Sequence, residues 1–492
     1  MLLLGIDIGT SSIKVSVVVS ATQQCIASAQ FPETETEIIS VQPGWAEQSP
    51  ELWWQHTQAA ILKLHAQKKY NPKDITAIGI AYQMHGLVMV DKNQNVLRNS
   101  IIWCDSRAVE IGNKAFEKIG EEKCLSHLLN SPGNFTASKL AWVKQNEPEV
   151  FAKLDKIMLP GDFIAMKLTG EIATSISALS EGIFWDFKNN ELSKDVFEYY
   201  GFDTSIIPAI KNVFAAHGQI TDAVAEKLSL QKNIPITYKA GDQPNNALSL
   251  NVIEPGEVAA TAGTSGVIYA VSNQLEYDKQ SRVNTFAHVN YSQEEARLGV
   301  LLCINGTGIL NRWVKNIAGN NKSYAEINGA AKQINPGSDG LTILPFGNGA
   351  ERMLNNKIVN SFFNNIDFNK HTAAHLYRAA QEGIAFAFRY GFDILKENGI
   401  SPTVIRAGKA NLFLSEVFRE CFVNTLQVPV ELYNCDGSVG AAIGSGIGAN
   451  IYSNAKEAFQ LFKPLEVIEP NVKNKYDEFY YQWLTQLNKQ IN

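Results

Sequence analysis

The sequence predicts an α/β protein of two similar domains with a ligand cleft between them, and three observations support this. The 492 residues exceed what one ordinary core serves and suit two large domains, or three small ones. Strand-like and helix-like stretches alternate along most of the chain, as in α/β folds. A strand, a Gly-Thr-Ser turn and a second strand open the chain, and the same pattern returns about half a chain later.

In the first copy, Leu2–Ile8 is apolar apart from Asp7 and Gly5, as a strand covered on both faces requires. Gly9, Thr10, Ser11 and Ser12 supply the turn, and Ile13–Val19 alternates as the returning strand. Such a tip offers backbone N–H groups and hydroxyls with little bulk, and can wrap a phosphate. Asp7 at its base could hold Mg²⁺ directly or through water. The second copy runs from 258–261 through Gly263, Thr264 and Ser265 to 267–271. Gly-Thr-Ser is also ordinary turn composition. Two copies in matched contexts, one with an acid, favour a phosphate clamp shared between domains.

The elements between follow in order. Ser49 and Pro50 start a helix whose buried face is Trp53, Ala60, Ile61 and Leu64. Trp45, Trp53 and Trp54 serve either the core or a sugar pocket. Ile75–Tyr82 reads as a buried strand running into Gln83-Met84-His85-Gly86, followed by a hairpin over 87–97. His85, at a strand end beside a glycine, sits where open α/β sheets place ligand contacts. Asp105 and Arg107 end a later strand and form either a local salt bridge or ligand contacts. Helical periodicity covers 137–168 with breaks at Pro148 and Pro160, and 169–192 reads as irregular. A strand over 235–240 leads into Gly241-Asp242, where a carboxylate facing the second hairpin suits a general base. The second half repeats the alternation: a strand into Asn305-Gly306-Thr307-Gly308, a strand over 341–346, a helix over 372–397, and a strand over 404–408. The strand over 404–408 enters its helix through a small-residue turn that a purine and its phosphates can approach. An amphipathic tail over 476–487 packs back on the body.

Composition limits function. The chain is 45% hydrophobic and 19% charged with a net charge of −6 and no block of like charge, against nucleic acid or anionic membrane as partner. Neither a signal peptide nor a run of ~18 apolar residues is seen, so a cytoplasmic protein is expected. Six scattered cysteines without a Cys-x-x-Cys pair read as reduced, mostly buried thiols. No Walker-type loop and no protein-kinase motif set is present. A homodimer is neither required nor excluded.

These residues resemble a known family. The stretch Gly5 to Ser12, Gly241-Asp242 and 262–266 are similar to the FGGY carbohydrate kinases, with two actin-like (ribonuclease H-like) ATPase domains. Within that family 83–86, 45–48 and 103–107 resemble the xylulokinases. The resemblance implies a domain over 1–244 for sugar, phosphate and Mg²⁺, a nucleotide domain over 245–450, and a helical tail over 451–492. It implies ATP and Mg²⁺ as cofactors and a small sugar as acceptor. Asp242 is implied as the base and a sugar contact, Asp7 as a catalytic residue that supports Mg²⁺, and Met84 and His85 as sugar contacts, with Asp105 and Arg107 added to the sugar site. Gly9 to Ser12 and Gly263 to Ser265 are implied at the phosphates, with Gly308, Arg312, Ala407, Gly408 and Asn411 around the nucleotide. An aspartate of ordinary acidity (~3.9) is expected to orient the hydroxyl and take its proton late. Two departures stand out: Ala407-Gly408-Lys409 where the family carries paired glycines, and Gln243-Pro244-Asn245-Asn246 after the base. The rivals are a kinase for ribulose, rhamnulose or glycerol, and a non-metabolic actin-like ATPase.

Overall fold

A computed structural model of the protein describes residues 1–471 and 476–491. Residues 472–475 and 492, part of the expected tail, lie outside the described residues. The first sheet is built from β1 (Leu2–Ile8), β2 (Ile13–Val19), β3 (Gln24–Phe31), β4 (Ile75–Tyr82) and β5 (Ile236–Gly241), in the order β5-β4-β1-β2-β3. β1, β2 and β3 form an antiparallel meander, while β4 and β5 run parallel to β1. The second sheet holds β6 (Glu257–Ala262), β7 (Gly266–Ser272), β8 (Asn284–Ala287), β9 (Leu298–Ile304), β10 (Val404–Gly408), β11 (Val430–Tyr433) and β12 (Glu466–Ile468). Its order is β8-β9-β7-β6-β10-β11-β12. The central five strands repeat the connectivity and directions of the first sheet. The fold is therefore two actin-like α/β domains, and each Gly-Thr-Ser turn joins the first two strands of its sheet.

One helix couples the halves. Helix Gly437–Gly448 follows the second sheet in sequence yet packs across β1, β4 and β5 of the first. A β-carbon on Gly5 would overlap the carbonyl oxygen of Ser438, and one on Gly79 that of Ala441. Backbone thus meets backbone, which only glycine permits. Helix Tyr476–Ile491 buries Tyr476, Tyr480, Trp483 and Leu487, and Trp483 Nε1 donates to the Ile343 carbonyl at 2.9 Å.

Of three expectations, one is met in short form and two are corrected. The hairpin over 87–97 is brief: Val96 bridges Val90 in antiparallel sense and the Leu97 N–H donates to the Met89 carbonyl at 3.0 Å, while Val88–Val90 also pairs with Lys156–Met158. The Asp91 carboxylate caps the turn, binding the N–H groups of Asn93 (2.8 Å) and Asn95 (2.9 Å), so little strand remains beyond it. Helix Ile176–Glu181 lies in the stretch read as irregular; buried from Ser177 to Glu181, it shows no amphipathic period. All six cysteines are free, but Cys25, Cys104 and Cys303 are exposed. Among the described residues no helix is long and apolar enough to cross a membrane.

The close packing yields a paired test. Gly79→Ala should cost at least about 2 kcal/mol, because the added methyl has no room. Gly329→Ala, facing open space in helix Tyr324–Lys332, should gain roughly 0.5–1 kcal/mol. Urea unfolding of both variants checks the contrast.

Candidate active site

Three neighbouring strands of the first sheet end at the cleft. The register sets Asp7 level with Ala81, and Ala81 level with Ala240. Asp7, the Met84-His85 turn beyond Tyr82, and Asp242 just past β5 therefore share one edge, the carboxyl ends where α/β sheets bind ligands. Each acid also meets a helix N-terminus. Asp242 lies in the first turn of helix Asp242–Ser249, and the Asp7 carboxylate lies against Gly437, which opens the coupling helix.

Burial alters both acids. It raises Asp7 to about 6; Asp436 adds to the rise and Lys14 opposes it. Asp242 is raised to about 7, first by burial and then by the charge of Asp7, against hydrogen bonds from the Gln243 backbone and side chain. The expectation of an ordinary acidity for Asp242 is thus corrected. Asp436 itself is held below the usual range despite burial, through hydrogen bonds from Lys14 and Ser438.

The Met84-His85 turn is braced on all sides. His85 adopts the left-handed region (φ 63°) that a side-chain-bearing residue seldom takes. Its carbonyl accepts from Lys139 Nζ at 3.0 Å and Thr136 Oγ1 at 3.3 Å, and its N–H donates to Glu181 Oε1 at 3.2 Å. Its Nδ1 lies 3.1 Å from the Glu181 carbonyl, which can only accept, so Nδ1 carries the proton and Nε2 keeps its lone pair. Burial, then the Lys139 charge, lowers the imidazole to about 3 and keeps it neutral. Phe135 and Phe286 flank the ring at 4.9 and 5.5 Å between centroids. Met84 and Glu181 crowd Gly241 so closely that a β-carbon there would lie 2.7 Å from each. Burial also raises Glu181 well above the usual carboxyl range and lowers Lys139 to about 7.

A polar chain shapes the first hairpin tip. Trp103 Nε1 donates to Thr10 Oγ1 (2.9 Å), which donates to Gln83 Oε1 (3.1 Å). Gln83 donates to Gln48 Oε1 (3.1 Å), and Gln48 returns to the Thr10 carbonyl (2.8 Å). The Gly9 N–H closes the turn on the Ser12 carbonyl at 3.1 Å, and the Ser11 carbonyl accepts from Thr36 N–H at 2.7 Å.

Asp105 and Arg107 correct the expectation of sugar contact. Asp105 is fully buried, accepts from the Ala46 N–H at 2.6 Å and pairs with Arg107 at 2.7 Å. Arg107 also pairs with Glu47 at 2.7 Å and lies 3.7 Å from the Trp45 ring centroid. Both are spent on holding the 45–48 segment, and Trp45 belongs to that stack. Trp53 is core, and half-exposed Trp103 is the aromatic beside the first tip.

At the second tip, Gly308 N–H donates to the Gly263 carbonyl at 2.9 Å and Ile309 N–H to the Thr264 carbonyl at 3.1 Å. The loop is thereby seated on helix Gly308–Ala318. A pocket of about 310 Å³ opens beside it, lined by Gly263, Thr264, Gly308, Arg312 and Asn411 among the expected residues. Ser265 and Gly408 are not part of its wall, and the Ala407 side chain is buried in the second core. Sequence reasoning missed Asn311, Tyr324, Asn328 and Ser415 in this wall. It also missed Lys139 and Glu181, whose signal is a charge set in an otherwise apolar stretch.

Among the described residues no three His, Cys, Asp or Glu side chains gather to hold a metal. Mg²⁺ needs no such cage, since waters and phosphates complete its shell. Two neighbouring acids, both raised by burial, fit a cation that would let them ionise.

Twin hairpin tips, acids at strand ends and a nucleoside-sized pocket define a phosphotransferase of the actin-like class. The chain belongs to the FGGY family of carbohydrate kinases: it matches the family's N-terminal domain over residues 2–249 and its C-terminal domain over 258–449. It is 28% identical to the xylulose kinase of Escherichia coli (strain K12), over 92% of this chain and 91% of that one. The xylulose kinase of Rhodospirillum rubrum shares its fold, with a TM-score of 0.89 at 24% identity over 99% of both chains. So does the gluconate kinase of Lactobacillus acidophilus, at 0.89 and 21% over 100% of this chain and 98% of that one. The protein is a carbohydrate kinase.

The raised acids predict proton-coupled metal binding. Mg²⁺ added to the nucleotide-free protein near pH 6.5 should release protons, less so in Asp7→Asn, because both acids are part-protonated there. Titration calorimetry in buffers of different ionisation enthalpy checks this, and binding without proton release would contradict the raised values.

Proposed function

We propose that the protein transfers the γ-phosphoryl group of ATP to the terminal hydroxyl of a ketose, D-xylulose foremost, giving D-xylulose 5-phosphate. The observation that carries this is Asp242, buried to a pKa of about 7 and packed through Gly241 against Met84 beside His85. A base tuned near the working pH both exists deprotonated and holds the proton it takes. His85 supports the acceptor side, because its free Nε2 can accept a hydrogen bond from a sugar hydroxyl while Met84 and Phe135 supply apolar walls. Gly9 to Ser12 and Gly263 to Ser265 are assigned to the phosphates, and the pocket of Arg312 and Asn411 to the nucleoside.

Asp7, with Asp242 near it, would hold Mg²⁺, which supplies charge neutralisation at the phosphates. Asp242 accepts the hydroxyl proton as the sugar oxygen bonds to phosphorus and the bond to the leaving diphosphate breaks. Asp242→Ala should lower kcat by ~10²–10⁴-fold with nucleotide affinity retained. Stopped-assay turnover alongside nucleotide titration measures both, and near-wild-type turnover would remove Asp242 as the base.

The acceptor rests on the xylulose kinases among the relatives and on the kind of wall present. A misplaced hydroxyl leaves a buried polar group unpaired, at ~1–3 kcal/mol each. In an ADP-release assay over xylulose, ribulose, rhamnulose, glycerol and gluconate, xylulose should give the highest kcat/KM. A different leader would replace the acceptor and leave the kinase class intact.

A further inference from the structure

Of the ten arginines, eight pair with carboxylates. Arg312 and Arg352 have no such partner among the described residues. Arg312 lines the nucleoside pocket. Arg352 has no assigned task, and its surroundings are specific.

Arg352 opens the turn Arg352–Leu354 in the second domain, and its neighbours anchor it. Glu351, Met353 and Leu354 are buried, and Glu351 Oε2 accepts from the Asn305 N–H at 3.1 Å. The Arg352 side chain alone leaves that core. It is half-buried, and its hydrogen bond to the Ser281 carbonyl is long, at 3.5 Å. Its charge reaches His85 across the cleft and Cys303 beside it, and Cys303 in turn feels Asp242. Its acceptor Ser281 also bonds Ser131 Oγ at 3.4 Å, and Ser131 and Ser281 each lie within five residues of a ring that flanks His85, Phe135 and Phe286, so the guanidinium stands on the His85 side.

A guanidinium half removed from water with one long hydrogen bond and no carboxylate partner is poorly compensated. Its planar fork of donors fits two neighbouring oxygens. His85 Nε2 offers the complementary acceptor from the opposite wall. We propose that Arg352 binds the acceptor sugar, donating N–H bonds to adjacent oxygens such as a ketose carbonyl and its neighbouring hydroxyl, so that both domains hold the sugar. The inference deepens the kinase reading above and rests on it.

The test uses Arg352→Met and Arg352→Lys in the full chain, with xylulose and gluconate as probes. KM for the preferred acceptor should rise at least about tenfold in Arg352→Met, the scale of a lost charged hydrogen bond, and less in Arg352→Lys. ATP affinity should stay within about twofold. A second readout needs no turnover. Exposed Cys303 lies beside Arg352, so the sugar should slow its alkylation in the wild type, not in Arg352→Met, with Cys25 unaffected throughout. An unchanged KM, undiminished protection of Cys303 in Arg352→Met, or a parallel loss of ATP affinity would overturn the proposal. If gluconate outcompetes xylulose and depends on Arg352, the residue's role stands and the ketose reading falls.

Discussion

The close packing of helix Gly437–Gly448 on the first sheet is the contact on which the site depends. Glycine on the strands lets helix carbonyls come down onto β1 and β4 with no side chain between them. The helix N-terminus then falls beside Asp7, and Asn245 Nδ2 bonds the Gly437 carbonyl at 2.9 Å, tying in the helix that carries Asp242. Ser16 and Ser438 hydroxyls meet at 2.7 Å, and Lys14 bonds Asp436. The sheet register sets the two acids side by side, and this helix closes over Asp7 and keeps water from it. A rise of even a carbon's width would let water between the acids and relax their raised pKa values.

The doubled hairpin made much of this legible. Repetition of strand, Gly-Thr-Ser and strand pointed to two related sheets, and an acid inside an apolar strand pointed to Asp7. The short span from β5 into its helix placed Asp242 correctly at a strand end. Sequence periodicity could not show that Asp105 and Arg107 saturate one another, because a salt bridge two residues apart reads the same as two free ligands. Nor could it reveal Glu181 or Lys139, whose parts come from segments about 50 to 100 residues away in the chain, at His85. The nucleoside wall was half visible. Its turn at 404–411 was read, while Tyr324 and Asn328 come from a separate helix brought alongside only by packing.

Charge is divided sharply within the cleft. Beneath the end proposed for the phosphates lie Asp7, Asp242 and Asp436, and of these only Asp436 is paired with a cation, Lys14. An anionic ligand approaching there is repelled unless protons or a metal ion neutralise the acids, which their raised pKa values make possible at neutral pH. The acceptor side is built differently. His85 is neutral, and burial raises Glu181 beneath it well above the usual carboxyl range, with Oε2 lacking a hydrogen-bond partner. Uncharged groups impose direction without a long-range field, so on the proposed function a sugar would be sorted here by where its hydroxyls sit. Placing Asp242 at the boundary gives one residue both environments. Burial beside Met84 and the charge of Asp7 both hold its pKa up, so it is a stronger base than an exposed aspartate and gives up its own proton less readily. A cation at Asp7 would offset the charge effect, and under the proposed mechanism Asp242 would then ionise most readily with phosphate and metal in place.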